Sequence, residues 1–235
     1  MKIFALESSA AAASVAVCED EALLAQTVQR SGLTHSATLL PMAEALLKNA
    51  GLSLPDLDLF AVAAGPGSFT GLRIGVSALK GLAWAQDKPC AGCSTLESMA
   101  WQIAHMEGEL CPVMDARRDQ VYNARFAVRD GVPVRLTEDR AIGLDALVAE
   151  VKISGKPQIL VGDGAVLCYN AFRDAGVPVR LAPPHLLYQS AWGVARCALE
   201  LARGGKLTTA AALRPDYHRL SQAERERLER AKSEE

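Results

Sequence analysis

The stretch Gly65-Pro66-Gly67-Ser68-Phe69-Thr70-Gly71-Leu72-Arg73-Ile74-Gly75 decides the fold class of this chain. It follows an apolar run at 59–64 that has the length of a buried strand, and it leads into a helical pattern at 72–85. Glycine permits positive φ and close backbone approach, and a serine or threonine can cap the helix. The stretch therefore predicts a strand, a tight loop and a helix. Its amides could bind a phosphate, although a plain packing turn explains the glycines equally well.

The residues around this stretch predict an α/β lobe with a mixed sheet. Three short strand patterns open the chain and form an antiparallel meander. They are followed by a helix, the strand and helix around the glycine loop, and a further strand and helix. In chain order, the predicted elements are strands 2–7, 14–19 and 22–29, helix 34–49, strand 59–64, helix 72–85, strand 90–93 and helix 94–105.

A second unit with the same order of elements begins near residue 109. A hairpin of strands comes first, and alternating helices and strands follow, ending in a long helix over 188–203 that a glycine pair stops. The shared order indicates a diverged structural duplication. It places domain boundaries at 1–107 and 108–206, with the segment 207–235 joined to the first unit.

Composition excludes several classes of protein. The 235 residues include 25 Lys and Arg and 27 Asp and Glu, which gives a net charge of -2. Because nucleic-acid binding depends on neutralising phosphate charge, we do not expect this chain to bind nucleic acid on its own. It would contact RNA only together with a partner protein. No apolar run reaches membrane-spanning length, and the first residues resemble a strand rather than a signal peptide, so we expect a cytoplasmic protein without membrane contact. The six cysteines are scattered, which predicts buried free thiols.

Several motifs together, in this order along the chain, resemble one known family. They are 3–9, His35-Ser36 with Leu39-Leu40-Pro41, 65–83, 114–122 and Pro215-Asp216-Tyr217. The chain resembles, over nearly its whole length, the YeaZ-like branch of the glycoprotease-like family; Glu7 stands where that family usually has Asp. The resemblance implies the fold shared by actin, Hsp70 and sugar kinases, in which two related lobes flank a nucleotide cleft.

The resemblance also implies a function in bacterial tRNA modification. Members of this branch are partner subunits of a larger TsaD-like catalytic paralogue. With a TsaE-like ATPase, the complex transfers threonylcarbamoyl from threonylcarbamoyl-AMP to N6 of adenosine 37 in tRNAs that read ANN codons. The chain itself would need no cofactor, since ATP or ADP and a metal belong to the partner subunits. Without its partner it would form a homodimer.

One physical observation favours a non-catalytic role. Catalytic relatives carry two histidines four residues apart on a helix, which can share one metal. Thr95 and Met99 occupy the corresponding positions here, and they make a poor site for a divalent cation. The sequence therefore predicts no catalytic residue and no metal site, and the peptidase activity that the family name suggests lacks a catalytic arrangement.

The partner surface is predicted on the two apolar helices, 34–49 and 72–85. The apolar set of the first helix is wide for a single core-facing stripe, and the small residues of the second allow close helix packing. The alternative is that most of these side chains face their own sheet. The predicted contacts are Leu39, Met42, Ala43, Leu46, Ser77, Lys80 and Trp84.

A second hypothesis is an independent ATPase or small-molecule kinase of the actin-like fold. A carboxylate at a strand tip can hold Mg²⁺ through waters, and glycines allow a nucleotide to approach. The residues of this nucleotide cleft would be Glu7, Ser8, Gly65, Gly67 and Asp163. The tail arginines Arg214, Arg219, Arg225, Arg227 and Arg230 either form a solvated helix with neighbouring acids or contact tRNA phosphate.

Overall fold

Two mixed sheets organise the chain in a computed structural model that describes residues 1–219. The first sheet has the spatial order β3-β2-β1-β4-β5. Strands β1 to β3 form the antiparallel meander, and β4 and β5 run parallel to β1. The strands are β1 (Lys2–Glu7), β2 (Ala13–Glu19), β3 (Ala22–Gln29), β4 (Leu59–Gly65) and β5 (Cys90–Ser94).

The second sheet repeats this arrangement. Its main path is β10-β7-β6-β11-β12, in which the first three strands are antiparallel and the last two run parallel to β6. The hairpin β8–β9 is attached beside β6. The strands are β6 (Glu109–Arg117), β7 (Gln120–Asn123), β8 (Phe126–Arg129), β9 (Val132–Arg135), β10 (Arg140–Gly143), β11 (Gln158–Val161) and β12 (Val179–Leu181). The repeated topology agrees with the predicted duplication.

Helices cover both faces of the first sheet, so its central strand is buried on both sides. Phe4 and Leu6 of β1 face one core, and Ile3 and Ala5 face the other, as the alternation of side chains in a strand requires. The helices of the chain are α1 (His35–Asn49), α2 (Phe69–Ala85), α3 (Thr95–Gln102), α4 (Leu144–Ser154), α5 (Ala165–Asp174) and α6 (Ala191–Arg203). Helices α1 and α2 cover the first of these faces, and α6 covers the second.

The position of α6 bears on the domain boundaries. The predicted division assigned this helix to the second lobe, yet Val194 and Ala198 pack against Ile3 and Ala5 of the first sheet. The segment that follows also lies on the first lobe, since Thr208 exchanges backbone hydrogen bonds with Cys90 on the edge strand β5. The boundaries at 107 and 206 stay a prediction, but the packing of α6 joins it to the first lobe.

Most predicted elements are present, and the differences lie at element ends and in short strands. Helix α3 ends at Gln102 rather than residue 105, and α6 begins at Ala191 rather than residue 188. Helix α2 begins at Phe69 rather than residue 72, because the Ser68 hydroxyl accepts a hydrogen bond from the Gly71 amide at 3.3 Å. In the hairpin that opens the second unit, the sequence pattern predicts one strand over 120–128, which divides here into β7 and β8. Strands β10 and β12 were not predicted, since four and three residues are too short to show a period. The predicted tail helix lies outside the described residues, as do Arg225, Arg227 and Arg230.

The cysteines confirm a further prediction, that of buried free thiols. All six thiols are free and buried. Burial raises the pKa of Cys111 to about 12 and that of Cys18 to about 11, so both stay protonated and unreactive near neutral pH. Within residues 1–219, no helix combines the length and apolarity needed to cross a membrane.

Candidate functional site: an interlobe cleft and a two-helix surface

The glycine loop packs against the strand tip of its own lobe. A Cβ atom on Gly71 would lie 2.1 Å from the Ser8 carbonyl oxygen, and one on Gly67 would lie 2.6 Å from the Ser9 carbonyl oxygen. The Ser8 hydroxyl donates to the Gly71 carbonyl at 2.9 Å, and the Ser68 amide donates to the Ser9 carbonyl at 2.7 Å. These glycines therefore serve close packing between backbone segments, the second of the two interpretations of the loop.

Glu7 lies at the end of β1, fully buried beneath the cleft. Burial raises its pKa from 4.5 to about 7; the Ser9 amide, which donates to Oε1 at 2.5 Å, opposes the rise, and the nearby charge of Asp163 adds to it. The other carboxyl oxygen, Oε2, has no hydrogen-bond partner among residues 1–219. Burial therefore favours the protonated form of this carboxyl group.

A cavity of about 540 Å³ lies between the two lobes. Of the five predicted cleft residues, Gly67 and Asp163 line it, Ser8 turns towards α2, and Gly65 is covered by the Asp216 backbone. The lining also includes two residues at the end of β6, Asp115 and Arg117, and the segment 216–219. Residues 1–219 contain no cluster of three or more His, Cys, Asp or Glu side chains that could hold a metal ion.

The lining carries charges of both signs. The carboxylates of Asp115, Asp163 and Asp216 face the cavity and would repel phosphate charge, whereas Arg219 belongs to the same lining. The guanidinium of Arg117 is paired with Asp115 at 3.3 Å, and His218 Nε2 lies 3.0 Å from the carboxylate of Asp216. A nucleotide in this cleft stays a prediction.

Sequence reasoning missed the segment 214–219 as part of the cleft. The ring of Tyr217 stacks on Phe69 with centroids 4.6 Å apart, and the Arg73 Nε donates to the Tyr217 hydroxyl at 2.9 Å. Arg219 donates to the carbonyl of Ala116 in the second lobe. The Pro215-Asp216-Tyr217 motif was visible in the sequence, but nothing local in it indicates where the segment packs.

The second candidate surface lies on α1 and α2, where the structure corrects three of the seven predicted contacts. Leu39, Ala43 and Leu46 are buried in the core of their own lobe, because they lie on the face of α1 that covers the sheet. Met42 is half-buried.

On α2, Ser77 and Trp84 are exposed, Trp84 by 68%. Lys80 is half-buried, and its Nζ donates to the carbonyls of Ala211 and Leu213 at 3.3 and 3.2 Å. Leu40 of α1 is 47% exposed and was not among the predicted contacts. It borders a mostly apolar groove of about 440 Å³ between α1 and α2, which also includes Leu82.

Thr95 and Met99, the positions of the paired histidines in catalytic relatives, are both fully buried on α3. Met99 packs in the core beneath the second sheet, beside Leu110 and Val161. Its sulfur lies 3.1 Å from where a side chain on Gly162 would begin. Met99 therefore serves packing between α3 and the second lobe.

Two lobes of repeated topology around a cleft define a protein of the actin-like class. The solved structure of the ROK hexokinase from Thermus thermophilus shares this fold, with a TM-score of 0.50 at 14% identity over 87% of this chain and 100% of that one. The structure of YeaZ from Pseudomonas aeruginosa is more similar, with a TM-score of 0.75 at 25% identity over 92% of this chain and 99% of that one.

The sequence comparisons give the family. Residues 28–160 match the family model "TsaD: tRNA N6-adenosine threonylcarbamoyltransferase". The tRNA threonylcarbamoyladenosine biosynthesis protein TsaB of Bacillus subtilis is 31% identical over 235 residues, which are 99% of this chain and 100% of that protein. The TsaB protein of Escherichia coli is 29% identical over 93% of this chain and 95% of its own length. The chain belongs to the TsaB family.

Proposed function

We propose that this chain acts in threonylcarbamoyladenosine biosynthesis as a non-catalytic subunit that binds a TsaD-like catalytic paralogue. The substrate of the complex would be adenosine 37 of tRNAs that read ANN codons. The full-length similarity to proteins named for this pathway carries the proposal. A TsaE-like ATPase and tRNA would join through the complex, and the chain would work in the cytoplasm.

The chemistry of α3 supports the non-catalytic part. A metal-dependent transferase site needs ligands that face the cleft, and Thr95 and Met99 are instead packed in the interior. ATP or ADP and the metal are accordingly assigned to the partner subunits, and this chain would need no cofactor of its own.

The exposed face of α1 and α2 supports the partner-binding part. Trp84 and Leu40 are large apolar side chains that remain in solvent. Leu40 and Leu82 border the apolar groove, and Trp84 lies on a different side of α2. Exposed apolar groups of this kind mark protein interfaces, and a tryptophan commonly carries much of the binding energy. The same face would pair two copies of this chain when the paralogue is absent.

The experiment that tests the proposal is light-scattering chromatography of the chain with the paralogue, combined with an assay of modified adenosine on the same fractions. Trp84→Arg should weaken the complex by at least about tenfold and reduce product formation in proportion. Ile153→Arg is the matched control, because Ile153 is 89% exposed on α4 of the second lobe.

Two results would overturn the proposal. The first is product formation by the paralogue and the ATPase without this chain. The second is steady ATP turnover by the isolated chain, together with tight Mg-ATP binding in calorimetry, which would favour the independent ATPase or kinase instead.

A further inference from the structure

The segment 214–219 crosses the mouth of the interlobe cleft. It follows the edge contact between Thr208 and β5, and its residues 216–219 form part of the cavity wall. Contacts of this segment reach both lobes, although the rest of the C-terminal region up to Leu213 packs only with the first core. A segment held at both ends of a cleft restricts how far the two sides can separate.

Its attachment to the first lobe is made by backbone and side chain together. The Asp216 amide donates to the Ala64 carbonyl at 2.7 Å, and a Cβ on Gly65 would lie 2.1 Å from the Asp216 carbonyl oxygen. Tyr217 stacks on Phe69, and the guanidinium of Arg73 lies 3.8 Å from the centre of the Phe69 ring. The backbone bond, the stacked rings and the arginine hold the segment at the start of α2.

Its attachment to the second lobe is made by Arg219, which donates to the carbonyl of Ala116 on β6. That carbonyl begins a turn in which Arg117, Arg118 and Asp119 all have positive φ, between 55° and 65°. Three consecutive residues in this region are unfavourable for side chains with a Cβ, so the turn depends on the contacts around it.

We propose that residues 214–219 form an interlobe clasp that limits how far the two lobes can separate across the cleft. Phe69 and Arg73 anchor the clasp on the first lobe, and the Ala116 carbonyl anchors it on the second. Release of the clasp lets the lobes move apart and widens the cavity. This inference concerns the isolated chain and is independent of the proposed function.

The clasp shares one face of α2 with the proposed partner surface. At about 100° per residue, Phe69, Arg73, Ser77, Lys80 and Trp84 fall within roughly 80° of one another around the helix. Arg73 and Lys80 hold the C-terminal region, while Ser77 and Trp84 are exposed. The clasp therefore lies along the same face of α2 as the exposed tryptophan.

Hydrogen–deuterium exchange of the full chain tests the clasp. Tyr217→Ala removes the side-chain anchor on the first lobe. We expect amide exchange to become roughly tenfold faster in the second-lobe segment 114–119 and in the first-lobe loop 64–70. Tyr217→Phe keeps the stacked ring and loses the bond from Arg73, so its effect should be smaller. Tyr188→Ala is the matched control, because the Tyr188 ring also lies beneath an arginine, Arg30, outside the clasp.

Faster exchange at 114–119 in a variant changed only at residue 217 would support the clasp, since the two sites lie on different lobes. Unchanged exchange at 114–119 would overturn it and leave the segment as packing of the first lobe alone. If Tyr217→Ala does not fold, Arg219→Ala provides the test, because it leaves the stacked rings intact. We expect this variant to speed exchange at 114–119. Unchanged exchange there would also overturn the clasp.

Discussion

Glu7 shows how a single buried side chain makes the stability of this protein depend on pH. The carboxyl group ends β1 with one oxygen bonded to the Ser9 amide and the other without a partner in the described part of the chain. Burial is the largest cause of its raised pKa, so the protonated form is favoured. The folded protein therefore binds a proton here more tightly than the unfolded chain does.

Replacing Glu7 with Gln should remove this dependence. The raised pKa means that the contribution of Glu7 is fully present below pH 4.5 and is lost as the pH rises through about 7. The loss amounts to roughly 3 kcal/mol at most. We expect Glu7→Gln to gain stability relative to the parent between pH 5 and pH 8, measured by urea unfolding at each pH.

The exposed residue Glu138 offers a matched control for that measurement. Glu138→Gln should show the same difference in unfolding free energy from the parent at pH 5 and at pH 8. An equally constant difference for Glu7→Gln would contradict the assignment of a raised pKa to this carboxyl group.

At the scale of elements, β8 is attached to the second sheet by little backbone pairing, and a neighbouring side chain makes its strongest contacts. Only Leu110 and Phe126 pair β6 with β8. The buried side chain of Arg125, just before β8, donates to Glu109 at 2.6 Å and to Glu150 of α4 at 2.7 Å. Burial acts to raise the pKa of Glu109, but the hydrogen bonds from Arg125 and Gln158 outweigh it and hold the pKa below its usual value.

Arg125→Met should therefore cost about 3 kcal/mol of unfolding free energy, because it leaves the carboxylate of Glu109 buried without its main partner. Urea unfolding followed by circular dichroism measures the loss. Arg129→Met changes an exposed arginine of the same hairpin and should shift stability by less than about 0.5 kcal/mol. Equal effects of the two substitutions would contradict the role given to Arg125.

At the scale of the whole molecule, α3 and α6 join the two lobes. Helix α3 contributes Leu96 and Met99 to the core beneath the second sheet, and α6 covers the first sheet. The two helices approach so closely at Gly193 that a Cβ there would lie 2.1 Å from the Ser98 carbonyl oxygen. Because that oxygen belongs to helix backbone, it cannot move without shifting α3.

Gly193→Ala should destabilise the whole chain by about 3 kcal/mol, since the added methyl overpacks this contact. Fluorescence of Trp101 on α3 and Trp192 on α6 follows unfolding at the contact, and circular dichroism follows both lobes. We expect the two signals to shift together. Gly81→Ala is the control, because nothing lies within 4 Å of a Cβ at Gly81 and alanine favours the helix by roughly 0.5–1 kcal/mol. Unchanged stability of Gly193→Ala would contradict the close contact.

Most of the helices and strands, and their order, could be predicted from the sequence alone. Apolar alternation and helical spacing are local properties, so β1 to β5, α1 and α2 were predictable from residues near one another in the chain. The repeated order of elements predicted two related lobes, and the topology of the two sheets agrees with it. The glycine-rich stretch and the other motifs were enough to indicate the family.

The contacts between distant residues depend on tertiary packing. Leu39 and Leu46 are buried in the core, whereas Leu40 and Trp84 are exposed. Helix α6 packs on the first sheet, and the glycine loop packs against Ser8 and Ser9. Tertiary packing also places Tyr217 on Phe69, 148 positions earlier in the chain. The physical reason is that a side-chain pattern reports that a face must be buried, whereas the segment that buries it is chosen by packing between distant parts of the chain.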